Sequence, residues 1–109
     1  MGVFYARHVI RVHPMPDFVQ HSFDRIGQPY ALMWGPSEFH FTGNLKDWDR
    51  TSRLSEIDVP VLIISGEHDE FTPLVNQPMK DGIRGARWVL MDGCSHLSHV
   101  EKPDAFMEA

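Results

Sequence analysis

The spacing of hydrophobic positions changes near residue 59. From there on, two short runs are apolar on both faces and contain β-branched or aromatic residues, a pattern typical of strands buried in a parallel sheet. The first run predicts a strand over 59–65, and the second predicts a strand over 87–91. The segment between them is long enough for the crossover that two adjacent parallel strands require. This half of the chain is therefore predicted to be α/β.

Apolar residues spaced three and four apart predict helices outside these strands. Residues 16–26 are the clearest case, and Pro16 suits a first helical turn. One face of this predicted helix carries Phe18, Val19, Ser22, Phe23 and Ile26. A helix is also predicted over 3–12, from a more ambiguous pattern, and Pro103 opens a last predicted helix over 103–109.

Two segments before the first strand lack a sustained hydrophobic period. Residues 27–43 are rich in Gly, Pro and aromatic residues, so they are predicted to be loop with at most one helical turn. Residues 44–58 are polar and are predicted to carry a short helix that leads into the strand.

The crossover between the strands contains a proline that argues against a single helix. Thr72-Pro73 resembles a helix start, but Pro78 should break a helix running from 73 to 83. We therefore predict a loop followed by a short helix that ends at Gly82 or Gly85.

Two parallel strands are too few to make a stable sheet. A sheet needs three or more strands, or close cover by helices, and unpaired strand edges promote aggregation. We therefore expect neighbouring strands that this sequence does not contain. The sequence is interpreted as the C-terminal part of a larger α/β domain.

Composition narrows the class of protein. The sequence is 42% hydrophobic with a formal net charge of −5, and its basic residues form no dense cluster, which argues against nucleic acid as a partner. No stretch reaches the roughly 18 apolar residues of a membrane helix, so no membrane association is expected. The single Cys94 excludes an internal disulfide and suits a reducing compartment, so a cytoplasmic location is expected.

An acid and a histidine follow the two predicted strands at matching positions. Asp69 comes three residues after Gly66, and His96 comes three residues after Gly93. Parallel sheets place active sites at the carboxyl ends of their strands, and a carboxylate there can hold a histidine in one tautomer. The order matches the last two members of the Ser…Asp…His triad of an α/β-hydrolase. The alternatives are a turn-forming Asp and an ordinary histidine, since the chain has seven histidines.

The histidines also raise the question of a metal. His96 and His99 form an H-x-x-H pair, but no third ligand lies at a convincing spacing. Neither a metal nor an organic cofactor is therefore expected.

Four motifs in a fixed order resemble the C-terminal part of proline iminopeptidases (prolyl aminopeptidases), a family of α/β-hydrolases. They are Met33-Trp34-Gly35-Pro36-Ser37-Glu38-Phe39, Lys46-Asp47-Trp48-Asp49, Gly66-Glu67-His68-Asp69-Glu70-Phe71-Thr72-Pro73 and Cys94-Ser95-His96-Leu97. The resemblance covers nearly all 109 residues. It implies that residues 1–45 are the end of a helical cap and that residues 46–109 are the C-terminal part of the hydrolase core.

The resemblance also implies a role for four side chains. Asp69 corresponds to the acid of the triad and His96 to its base, while Glu38 and Glu70 correspond to acids that hold the free α-amino group of a peptide or amino-acid amide. An α-amine with a pKa of about 7.7–8.0 is largely cationic near neutrality, so two carboxylates would form a charge-assisted clamp. The alternative for each glutamate is a solvated surface carboxylate.

The sequence departs from such enzymes in two respects. It contains no G-x-S-x-G motif, since Gly93-Cys94-Ser95-His96-Leu97 lacks the final Gly, and it contains no Gly-rich oxyanion segment. Asp and His act only through the nucleophile, so the chain is expected to be inactive without the missing N-terminal half of the hydrolase domain. Two alternatives remain open: a fragment of an amino-acid amidase or esterase, and a non-catalytic remnant that serves in interaction.

Overall fold

A computed structural model describes residues 2–109, which divide into two compact units. Residues 2–14 and 51–109 form the first, here called the strand unit, and residues 15–50 form the second, here called the helical unit. In chain order the elements are α1 (Gly2–His8), α2 (Asp17–Phe23), α3 (Gln28–Met33), a 3-10 helix (Thr51–Glu56), β1 (Leu62–Gly66), α4 (Pro73–Gly82), β2 (Arg87–Met91), α5 (Ser98–Glu101) and α6 (Pro103–Glu108).

The sheet of the strand unit confirms the predicted α/β class. β1 and β2 are parallel, with Leu62 opposite Arg87 at one end and Gly66 opposite Met91 at the other. β2 has the predicted bounds, whereas β1 begins later than predicted. Pro60 explains the late start, because proline has no N–H to donate to a strand ladder.

A small apolar core lies beneath this sheet. Ile63, Ile83 and Ala86 are buried together. Partly buried side chains pack around them, namely Leu54, Ile57, Val61 and Trp88. Trp88 Nε1 donates a hydrogen bond to the buried Ser65 hydroxyl at 2.9 Å, which satisfies both polar groups between the strands. The core thus joins the 3-10 helix, the crossover and both strands.

The strands are also incompletely covered, as the sequence suggested. Within residues 2–109 each strand pairs on one side only, with the other strand. Leu62 and Leu90 remain 44% and 47% exposed although both lie in strands. A two-stranded sheet with exposed leucines has the character of the edge of a larger sheet.

The prediction for the crossover is right about its end, since the helix stops at Gly82, and wrong about a break at Pro78. A single helix, α4, runs through Pro78. Proline removes the hydrogen bond to the carbonyl of residue 74. Both Leu74 and Pro78 are exposed, so that carbonyl can be solvated and the helix continues.

The other helical predictions have mixed outcomes. Helices are confirmed within 3–12, 16–26, 44–58 and 103–109, although α1 and α2 end earlier than predicted. The prediction of at most one helical turn in 27–43 is wrong, because α3 has six residues. Pro29 lies in its first turn, where proline is favourable. No helix in the described residues is long and apolar enough to cross a membrane.

Candidate active site

The turn after β1 fixes a buried carboxylate. Asp69 N–H donates to the Gly66 carbonyl at 3.2 Å, which closes the turn. The Asp69 carboxylate accepts hydrogen bonds from two backbone amides, Gly66 N–H at 3.3 Å and Phe71 N–H at 2.9 Å. The second of these is an Asx turn, a local structure that Asp and Asn both form. The backbone therefore holds Asp69 in one orientation.

The loop after β2 lies directly against the end of β1. Gly93 has a φ of +68°, in the left-handed region that favours glycine. A Cβ atom on Gly66 would lie 2.4 Å from the carbonyl oxygens of both Cys94 and Ser95. Only glycine at position 66 permits this close approach, which brings the histidine loop next to the Asp69 turn.

Asp69 and His96 meet at the carboxyl ends of the two strands. His96 Nδ1 lies 3.0 Å from Asp69 Oδ1. The aspartate side chain is 5% exposed, whereas the imidazole is 41% exposed and stacks on the Phe71 ring with the centroids 5.4 Å apart. A carboxylate on Nδ1 selects the tautomer with its proton there, which leaves Nε2 able to accept a proton. The pair can therefore act as an oriented general base.

The histidine loop offers two candidate nucleophiles, and both are unsuited to the role. Cys94 and Ser95 have no exposed surface. Burial, reinforced by the charge of Glu101, raises the pKa of the Cys94 thiol, so little reactive thiolate forms. The Ser95 hydroxyl donates its proton to Glu101 rather than to His96.

The two glutamates of the predicted clamp belong to different units. Glu70 follows Asp69 in the strand unit and is half-buried, and its N–H donates to the His8 carbonyl at 3.2 Å. Glu38 lies in the helical unit, where it accepts a hydrogen bond from the Tyr30 hydroxyl at 3.1 Å. The clamp therefore stays a prediction.

Another carboxylate joins the two loops from the solvent side. Glu67 accepts a hydrogen bond from Gly93 N–H at 2.9 Å. This bond lowers the pKa of Glu67, with smaller contributions from Asp92 and from the charge of His68. Glu67 thus ties the turn after β1 to the turn after β2.

Sequence reasoning missed the N-terminal contribution to this site. The predicted helix over 3–12 ends at His8, and residues 8–11, here called the strap, cross both loops. The His8 carbonyl accepts hydrogen bonds from Glu70 N–H and His96 N–H, each at 3.2 Å, and the Val9 carbonyl accepts one from Leu97 N–H at 2.9 Å. Val9 and Ile10 are both buried, and an apolar pair in the sequence indicates this packing but not the hydrogen bonds of the strap carbonyls.

Together, these features define a class of protein. A buried Asp and a His meet at the carboxyl ends of two parallel strands, and a helical crossover joins those strands. This is the arrangement of the C-terminal part of an α/β-hydrolase.

Comparisons with known proteins identify the family. No family model matches the chain. The chain is 40% identical to a proline iminopeptidase of Saccharolobus solfataricus, over 99% of this chain and 36% of that protein. The crystal structure of proline iminopeptidase from Mycobacterium smegmatis superposes with a TM-score of 0.87 at 44% identity, over 98% of this chain and 37% of that one. The crystal structure of VinJ superposes with a TM-score of 0.91 at 39% identity, over 99% and 38%.

The chain belongs to the proline iminopeptidase family of α/β-hydrolases. It spans slightly more than a third of the length of these relatives, and it is a fragment relative to them.

Proposed function

We propose that this chain supplies the acid and the base of the catalytic triad of a serine aminopeptidase that releases an N-terminal residue, with proline as the preferred residue. The Asp69–His96 contact at 3.0 Å, made by a buried carboxylate and a half-exposed imidazole, is the observation that carries the proposal. The nucleophilic serine and the oxyanion donors would come from the remaining part of the hydrolase domain. That part would pair with the outer strand edges and pack on the faces of the sheet, which would cover Leu62 and Leu90.

The chemistry follows from the position of the imidazole. His96 Nε2 takes the proton of the serine hydroxyl while the serine oxygen attacks the carbonyl carbon of the substrate's N-terminal residue. Asp69 stabilises the imidazolium formed in that step. His96 then returns the proton to the leaving amine, which departs and leaves an acyl-enzyme. The same histidine then takes a proton from water, whose oxygen attacks the acyl carbonyl carbon, and returns that proton to the serine oxygen as it leaves.

Reconstitution tests the proposal. The chain is mixed, or co-expressed, with the part of the M. smegmatis enzyme that it does not match, and hydrolysis of the fluorogenic substrate prolyl-aminomethylcoumarin is followed. We expect hydrolysis by the two parts together and none above background by either part alone. Hydrolysis by the isolated chain that depends on His96 would contradict the proposal, because the serine would then not come from elsewhere.

The proposed clamp predicts a second, substrate-dependent effect. Glu38→Gln and Glu70→Gln should each lower kcat/KM for free-amine substrates by about 10- to 100-fold, because each removes a hydrogen bond to a charged group worth roughly 1.5–3 kcal/mol. An amine-blocked substrate, N-acetylprolyl-aminomethylcoumarin, should show the same low rate with every variant. Glu108→Gln, an equal charge change at an exposed position of α6, is the control.

The pattern over substrates separates the remaining hypotheses. Equal losses on free and blocked substrates would refute the clamp. Faster turnover of amino-acid amides or small esters than of prolyl peptides would favour an amidase or esterase. A stable but inactive complex of the two parts would favour a non-catalytic role in interaction.

A further inference from the structure

A carboxylate outside the Asp69–His96 pair joins the histidine loop to the N-terminal strap. Glu101 is the last residue of α5 and is half-buried. Its Oε2 accepts a hydrogen bond from Ser95 N–H at 2.6 Å, and its Oε1 accepts one from Arg11 N–H at 2.6 Å. Oε1 also accepts a short hydrogen bond from the Ser95 hydroxyl. One side chain thus satisfies three donors from two distant parts of the chain.

These bonds close a loop of contacts around His96. Ser95, the residue before it, is completely buried and held by Glu101. His96 N–H donates to the His8 carbonyl at 3.2 Å, in the same strap that ends at Arg11. The main chain at His96 is therefore fixed by Glu101 through Ser95 and by the strap through the His8 carbonyl.

We propose that Glu101 is a positioning residue of the site. By holding Ser95 and Arg11 together, it keeps the His96 backbone in the position from which Nδ1 reaches the Asp69 carboxylate. The consequence for catalysis rests on the proposed function, whereas the consequence for the orientation of His96 does not. The hydrogen bonds of Glu101 go to Ser95 and Arg11 and not to His96, so it acts through the loop.

The three donors explain why a carboxylate is required. A carboxylate only accepts hydrogen bonds, with about four lone-pair sites, whereas a glutamine amide carries one acceptor and two donors. In Glu101→Gln, the amide nitrogen would face Ser95 N–H in one orientation and Arg11 N–H in the other. Either orientation sets donor against donor and leaves at least one backbone amide without its partner. The isosteric change should therefore free either Ser95 in the histidine loop or Arg11 in the strap from Glu101.

The first test measures the tautomer of His96 in the chain itself. Nitrogen-15 shifts of the imidazole report which ring nitrogen carries the proton. We expect the Nδ1–H form in the wild-type chain and in the control Glu108→Gln, and in Glu101→Gln the Nε2–H form that an unconstrained neutral histidine prefers. An unchanged Nδ1–H form in folded Glu101→Gln would overturn the proposal, since the loop would then be placed without this carboxylate.

The second test measures amide hydrogen exchange in the wild-type chain, so it does not require that Glu101→Gln folds. In the wild-type chain, the amide protons of Ser95 and Arg11 should exchange with solvent at least about tenfold more slowly than unbonded amides, because each donates to a charged acceptor. Exchange of these two amides at the rate of an unstructured peptide, in a chain whose β1 and β2 amides stay protected, would overturn the proposal. Ser95→Ala removes only the hydroxyl bond, so both amides should remain protected in that variant.

The third test uses the reconstituted enzyme. Glu101→Gln should lower kcat by about a hundredfold, the effect of misplacing a catalytic group by about 1 Å. KM should stay within about twofold, because Glu101 does not contact the substrate. A rise in KM with kcat unchanged would overturn a positioning role. If the wild-type pair is inactive, the proposed function fails, while the tautomer and exchange results still decide the role of Glu101.

Discussion

Replacing His96 by glutamine is expected to lower kcat of the reconstituted enzyme by about a millionfold, to the level left by binding and the oxyanion donors. Glutamine fills nearly the same space and can still donate a hydrogen bond to Asp69. It cannot take a proton from a serine hydroxyl near neutral pH, and the buried Cys94 and Ser95 offer no substitute. The measurement is the steady-state rate of prolyl-aminomethylcoumarin hydrolysis.

His99 provides the matched control. It lies three residues further along, is exposed, and its ring lies against Phe106 with the centroids 5.7 Å apart. His99→Gln should leave kcat within about twofold, because surface substitutions away from special features change stability by about 0.5 kcal/mol or less. If His96→Gln kept more than a hundredth of the wild-type kcat, His96 would not be the general base.

Both strands and the contact between their ends could be anticipated from the sequence. Each strand is a short β-branched or aromatic run that ends before a glycine, and this local signal does not depend on distant residues. Parallel pairing then places both carboxyl ends at one edge of the sheet, so an acid after β1 and a histidine after β2 are brought near each other by topology. The 3.0 Å contact between Asp69 and His96 is the result.

The strap and Glu101 could not be anticipated in the same way. The strap acts through the carbonyls of His8 and Val9, and every residue has a carbonyl, so no side-chain pattern marks these positions. Arg11 and Glu101 are 90 positions apart, and the donor of their bond is again a backbone amide. From the sequence alone, Glu101 is therefore indistinguishable from any other acid on a short helix. Only the fold shows that its oxygens accept hydrogen bonds from Ser95 and Arg11.

Pro78 shows a different limit of sequence reasoning. The rule that proline breaks a helix describes the cost of an unsatisfied carbonyl, and that cost depends on whether water can reach it. In α4, the side chains of Leu74 and Pro78 are both exposed. Exposure is a property of the folded chain, so the outcome at this proline could not be decided from its position in the sequence.

Replacing Asp69 by asparagine is expected to lower kcat by about ten-thousandfold, with a modest loss of stability because the amide nitrogen replaces the oxygen that accepts from Gly66 N–H at 3.3 Å. Asparagine also forms Asx turns, so the Phe71 N–H that Asp69 now holds at 2.9 Å keeps its acceptor. What asparagine cannot do is stabilise an imidazolium or enforce the tautomer with its proton on Nδ1, and that loss accounts for the expected factor. The measurements are kcat and urea unfolding of the same variant.

This single substitution separates the two interpretations of Asp69 that the sequence left open. A residue that only shapes the turn after β1 would leave kcat near wild type, because the Asx turn survives and only the Gly66 bond is lost. A triad acid instead loses kcat by about ten-thousandfold, while the urea midpoint falls only by the modest amount that the lost Gly66 bond causes. Asp58→Asn, an equal charge change at an exposed position before β1, should leave both quantities unchanged. Full activity in Asp69→Asn would reduce the aspartate to a turn residue and remove the chemical basis for an oriented His96.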